Sequence, residues 1–145
     1  ARSGAYNGSG HNGIDFGAPE GTKVVSALSG IVQATGNTDS ERAPWCYSYG
    51  KWVLVKHANG LSTLYAHLSH ISIKEGEAVA TGGLLGYSGN TGFSTGPHLH
   101  FTVLASDAVQ VIQMKEIPNR KSSPCDLKFI PVSAPSGYLN PLSYL

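Results

Sequence analysis

The sequence predicts an all-β domain of mainly antiparallel strands with little helix, on three observations. Glycine is abundant, 18 of 145 residues, with 8 prolines. β-branched residues fill the short runs between them, a balance that favours short strands joined by turns. The dipeptide Asn59-Gly60 lies between two strand-like runs, 51–57 and 62–67, which is a strong local signal for a hairpin. From residue 98 to 104 the side chains alternate between two faces. His98, His100 and Thr102 share one, and Leu99, Phe101 and Val103 share the other, apolar one.

The length suits one domain, 1–145, with a core over about residues 10–105 and a C-terminal closing segment over 106–145. A net charge of +1 argues against a nucleic-acid or anionic-membrane binder driven by bulk electrostatics. No apolar run approaches the ~20 residues of a membrane span. No signal peptide is legible, so Ala1 reads as the start of a mature or trimmed chain. Cys46 and Cys125 are far apart and are not a Cys-x-x-Cys pair. They are buried thiols or one disulfide. A bridge would close a loop of about 80 residues, worth about 4 kcal/mol in the chain-entropy model, and would imply an oxidising setting.

In order along the chain, residues 1–10 read as a glycine-rich loop with Tyr6 its only bulky residue. His11 and Asp15 follow. In a straight strand they would stand ~13 Å apart, too far for one ion, so the chain must bend at Asn12-Gly13 to join them. Residues 21–35 read as a hairpin turning at Ser29-Gly30, and 36–49 as a long polar loop. A two-residue turn at Asn59-Gly60 sets Leu54 opposite Tyr65 and Trp52 opposite His67. That register puts His57 and His67 on opposite faces. Two short strand runs, 71–73 and 84–87, flank a turn at residues 74–77, and His70 reads as solvated. The glycine loop 86–96 has no lysine and leads into a strand, so it is not a phosphate loop. A strand over 109–114 precedes a tail in which Val132, Tyr138, Leu139, Leu142 and Leu145 are expected to pack on the domain.

The chemistry-bearing residues left standing are His11, Asp15, His67, His98 and His100. Two imidazoles and a carboxylate with an open fourth position describe a catalytic zinc site. No His-Glu-x-x-His motif is present, so proton transfer would fall to the surplus histidines.

These stretches occur in a specific order: His11-Asn-Gly-Ile-Asp15, the 21–30 segment, Tyr65-Ala-His67-Leu68, and Ser94-Thr-Gly-Pro-His98-Leu-His100-Phe101. Together they closely resemble the lysostaphin-like zinc endopeptidases, which cut the peptide part of bacterial peptidoglycan. The likeness runs from about residue 10 to 104 and does not cover the 45–49 loop or the Cys125 tail.

The resemblance implies one Zn2+ held by His11, Asp15 and His100, with His67 and His98 as the catalytic pair. It implies attack on the scissile carbonyl by metal-activated water. It also implies a lysostaphin-type β-sheet fold with the site in a groove, walled by loops 37–49 and 86–96. Tyr6, Trp45, Tyr47 and Asn90 are the candidate substrate contacts. Trp45 and Tyr47 serve equally well as packing anchors beside Cys46. The expected partner is a peptidoglycan peptide, met by a monomer in the periplasm, cell envelope or medium. A non-catalytic wall-binding or regulatory domain is the alternative, and a zinc carboxypeptidase or amidase on the same polymer is another.

Overall fold

The computed structural model describes residues 2–3, 13–39, 49–92, 94, 96–119 and 121–144. His11, Tyr6, Trp45, Cys46, Tyr47 and Leu145 lie outside the described residues. The strands, in chain order, are β1 (Arg2–Ser3), β2 (Ile14–Gly17), β3 (Lys23–Val25), β4 (Gly30–Asn37), β5 (Lys51–Lys56), β6 (Leu61–Ile71), β7 (Ala78–Val79), β8 (Leu84–Ser88), β9 (His98–Ala105), β10 (Gln110–Gln113), β11 (Phe129–Val132) and β12 (Tyr138–Leu139). Among the described residues, helix is confined to three short 3-10 turns and α1 (Pro141–Tyr144). The expected antiparallel β-fold is what forms, because β-branched runs broken by glycine cannot sustain helix.

Ten strands form one sheet whose main path is β1-β2-β9-β6-β5-β4-β7. β12 adds to β9, β8 adds to β6, and β3 adds to β8. The sheet is apolar on both faces. Val53, Val55, Tyr65, Phe101 and Val103 build one core. Trp52, Leu54, Leu64, Ala66 and Leu104 build the other. The β10–β11 ribbon lies over the second core, and the Trp52 indole Nε1–H donates to the Phe129 carbonyl at 3.1 Å. Met114, Cys125 and Ile130 form a satellite cluster under the ribbon. Cys125 is disulfide-bonded.

The central hairpin departs from the expected register by one residue. Val53 opposes Tyr65 and Leu54 opposes Leu64. The His57 N–H donates to the Leu61 carbonyl (2.9 Å), so the loop holds three residues instead of two. Gly60 takes a positive φ of 83° at its end, the geometry of a three-residue loop with a left-handed glycine. The register that separated His57 from His67 is therefore not the observed one, but the two rings do lie on opposite faces: His57 is tied to Ser29 O (2.7 Å) and Thr63 Oγ1 (2.8 Å) on the Tyr65 side, and His67 stands against His98 and His100 on the other.

The hairpin expected over residues 21–35 does not form either. β3 pairs with β8, whereas β4 pairs with β5 and β7. Long-range partners override the local turn signal. Ser26 exchanges backbone bonds with Gly82 and Gly83, and the Ala27 N–H donates to the Tyr65 hydroxyl at 2.9 Å. Gly30 is inside a strand, where a Cβ would collide with the Lys56 carbonyl. The turn at 74–77 forms as expected, with Gly76 at φ 88°. In the tail, Tyr138 and Leu139 pack on the two cores, but Leu142 is exposed. No described helix is long and apolar enough to cross a membrane.

Candidate active site

β9 is the spine of the site. Its neighbour β2 sets Asp15 opposite His100, and β6 sets Ala66 opposite His100 from the other side. Alternation puts His98, His100 and Thr102 on one face as the sequence indicated, while Phe101 and Val103 go to the core. His100 Nδ1 lies 2.8 Å from Asp15 Oδ1. Its other nitrogen, Nε2, lies 2.9 Å from the Thr102 hydroxyl, which fixes the ring from behind. Tyr49 stacks on the ring at 5.7 Å between centroids. Gly13 is a bend just before β2, in line with the expected curl. His11 lies outside the described residues, so the described part of the expected ligand set is Asp15 and His100. No described group of three or more His, Cys, Asp or Glu side chains forms a metal cage by itself.

His98 Nδ1 donates to the Gly96 carbonyl at 2.8 Å and lies 3.1 Å from Ser94 Oγ. A carbonyl only accepts, so Nδ1 carries a proton, and in the neutral ring the lone pair is on Nε2. That Nε2 faces Asp15 Oδ1 at 3.7 Å. His67 is built in the same way. Its Nδ1 donates to the Thr91 carbonyl at 2.6 Å, again leaving Nε2 as the basic nitrogen. The His67 and His98 rings stand 4.7 Å apart, and His67 and His100 6.0 Å.

His67 reaches this face by an irregularity. Strict alternation after Tyr65 and Ala66 would turn it toward the Tyr65 core. Instead it has a positive φ of 63°, beside a register shift in the β5–β6 pairing. Its N–H donates to the Tyr49 carbonyl (2.8 Å). A left-handed non-glycine residue is uncommon, with histidine among the types that tolerate it, and costs about 1–3 kcal/mol. Here that backbone turn brings its ring against His98 and His100.

His67 is buried, and burial pushes its pKa down from 6.5 to about 4. The Thr91 hydrogen bond and Asp15 oppose the shift, while His98 and His100 add to it. The folded state thus binds fewer protons than the unfolded state between these values, so stability rises with pH across that window. The expected outcome is that His67 contributes no acid sensitivity above about pH 7 and a growing destabilisation as pH falls from 6.5 toward 4. Urea unfolding of wild type and His67→Gln at several pH values checks this: the variant should show a flatter acid limb.

Among the other expected site residues, Asn90 is exposed on the loop before Thr91. Tyr6, Trp45 and Tyr47 lie outside the described residues. The two loops expected to wall the groove are joined at one point, where the Gly92 N–H donates to Asp39 Oδ2 at 2.9 Å. His70 is exposed, as expected. The supporting partners Thr102, Tyr49 and the Thr91 and Gly96 carbonyls were not singled out from sequence. Thr102 was findable from its shared face with His100. Backbone carbonyls leave no sequence signal.

Comparison with known proteins bears on this geometry. The model of peptidase family M23 matches residues 9–111. The peptidoglycan DD-endopeptidase ShyA of Vibrio cholerae is 39% identical over 114 residues, 79% of this chain. The chain spans a minor part of the curated relatives it matches, 25% of ShyA's length. The catalytic domain of lysostaphin, an antimicrobial peptidase of Staphylococcus simulans, superposes with a TM-score of 0.64 at 28% identity. That match covers 95% of this chain and 80% of lysostaphin's domain. A zinc-containing peptidase of Vibrio cholerae superposes with a TM-score of 0.58 at 36% identity, over 67% of this chain and 28% of that one.

Proposed function

We propose, since the chain belongs to peptidase family M23, that it is a zinc-dependent endopeptidase. Its substrate would be peptide bonds of bacterial peptidoglycan, in a cross-bridge or stem peptide, and it would act outside the cytoplasm. The observation that carries this reading is the convergence of one carboxylate and three imidazoles from three strands: Asp15 of β2, His67 of β6, and His98 and His100 of β9. The names of ShyA and lysostaphin support the substrate class, and the zinc-containing neighbour supports the metal.

The donor set fits zinc. A carboxylate oxygen and an imidazole nitrogen converge at 2.8 Å, and both are zinc ligand types. The Thr102 hydroxyl on the far nitrogen of His100 is the kind of outer partner that orients a metal-binding histidine. His11, Asp15 and His100 would hold the ion. Zinc, when bound, polarises a carbonyl and brings the pKa of a coordinated water to about 7.

The protein's own part is proton transfer. His67 and His98 each keep their proton on Nδ1, locked against a backbone carbonyl. In each neutral ring that tautomer leaves Nε2 as the nitrogen that can accept a proton. One takes the proton of the attacking water, and a protonated ring returns it to the departing amine. Burial keeps His67 neutral at pH 7, the state a proton acceptor requires.

The test is metal analysis paired with mass spectrometry of digested peptidoglycan. New peptide amine and carboxyl ends, lost on chelation and restored by zinc, are the expected result. Metal binding without any cleavage would instead favour the wall-binding alternative. Thr102→Val, which keeps the shape and removes the hydroxyl, should weaken zinc affinity by about 10–100-fold. Competition with a fluorescent chelator measures it.

A further inference from the structure

Asp39 lies in the loop after β4, and its carboxylate is not used by the mechanism above. Its Oδ2 accepts the Gly92 N–H at 2.9 Å. The carbonyl of that same peptide unit, Thr91 O, accepts the His67 Nδ1–H at 2.6 Å. One peptide group therefore joins a carboxylate to the imidazole.

Both ends of the link are pinned. The Thr91 hydroxyl donates to the Leu68 carbonyl (2.7 Å) and accepts the Lys51 N–H (3.1 Å). The Asp39 N–H donates to Asn37 Oδ1 (2.9 Å), and adjacent Thr38 bonds Gly50 through its N–H (2.9 Å) and its hydroxyl (2.8 Å).

The other carboxylate oxygen, Asp39 Oδ1, is buried with no hydrogen-bond partner among the described residues, and burial raises the group's pKa against the pull of Gly92, Lys51 and Lys128. Capping one N–H does not require a charge. Asp39 is partly buried as a residue, but its Oδ1 atom is enclosed, and an enclosed carboxylate oxygen left idle carries a desolvation cost. Bonded chains polarise one another: a carboxylate on the N–H makes the carbonyl at the other end a stronger acceptor.

We infer that Asp39 is a positioning residue for His67, acting through the Thr91–Gly92 peptide to lock the ring in the Nδ1–H tautomer and strengthen Nε2 as a proton acceptor. The inference rests on the proposed hydrolase function for its consequence, but not for its geometry.

The experiment compares the full chain with Asp39→Asn, which keeps an acceptor but loses the charge, and Asp39→Ala, which loses both. Nitrogen-15 NMR of His67 reads the tautomer and the Nδ1–H resonance. The expected result is a graded loss of the strongly bonded Nδ1–H signal, small in Asp39→Asn and large in Asp39→Ala. With it, kcat on peptidoglycan should fall about 10-fold in Asp39→Ala and about 2-fold in Asp39→Asn, with KM held within about 2-fold.

An unchanged His67 spectrum in the folded Asn variant and in the Ala variant would overturn the inference. So would a shifted spectrum with kcat unaltered in an active protein. If Asp39→Ala does not fold, a wild-type spectrum and kcat in Asp39→Asn count against it. If wild type cleaves nothing, the hydrolase reading fails while the spectra still decide the Asp39–His67 link.

Discussion

His98→Ala should lower kcat by about 10²–10⁴-fold while leaving zinc bound, whereas His100→Ala should lose both zinc and activity. The two residues are neighbours on one face of β9, yet their surroundings differ. His98 has its Nδ1 engaged by Gly96 and its Nε2 directed at the site, 3.7 Å from the Asp15 carboxylate. His100 presents Nδ1 to Asp15 at 2.8 Å and is held from behind by Thr102. The first is the pattern of a ring that moves protons, the second of a ring that holds an ion. Plasma emission spectrometry of both purified variants, beside cleavage assays, separates them. Equal zinc loss in the two would contradict the division of roles.

Gly50→Ala should destabilise the protein by about 3 kcal/mol and, in whatever fraction folds, reduce kcat about 10-fold or more. Gly50 has φ 60°, a left-handed geometry in which a Cβ costs roughly 1–2 kcal/mol. The added Cβ would also meet the backbone of Thr91 and Gly92, and backbone cannot swing aside as a side-chain tip can. The peptide it would displace is the one whose carbonyl holds His67. A shift of that carbonyl frees the ring to flip or change tautomer. Thermal unfolding should show a Tm roughly 10 °C lower, and the surviving activity at low temperature gives kcat. A stable variant with wild-type kcat would mean that the β5 entrance and the Thr91 loop are not rigidly coupled.

Much of the site was legible because strand geometry is simple. His98 and His100 sit two apart, so alternation alone puts them on one face with Thr102. Joining Asp15 to His11 calls for a bend at Asn12-Gly13; Gly13 is a bend, and residues 11 and 12 lie outside the described ones. His67 was legible as a motif but not as a position. Alternation points it away from His100, and only its left-handed backbone turns it back. The Asn59-Gly60 hairpin shows the same limit on a smaller scale: the dipeptide identifies a turn, but two-residue and three-residue loops differ by one register step, and that step exchanges the faces. The Ser29-Gly30 signal misled because glycine there makes room for the Lys56 carbonyl and does not turn the chain.

By itself the sequence determined the antiparallel β class, the two-sided strand β9, and the set of donors from which a site could be made, since these follow from periodicity and side-chain chemistry within a few residues. Only the tertiary structure decided the hairpin register, the turn that brings His67 to His98, and the carboxylate–peptide link from Asp39. Those depend on backbone groups and on partners 24 and 53 residues away, and a backbone carbonyl or amide carries no residue type from which its partner could be read.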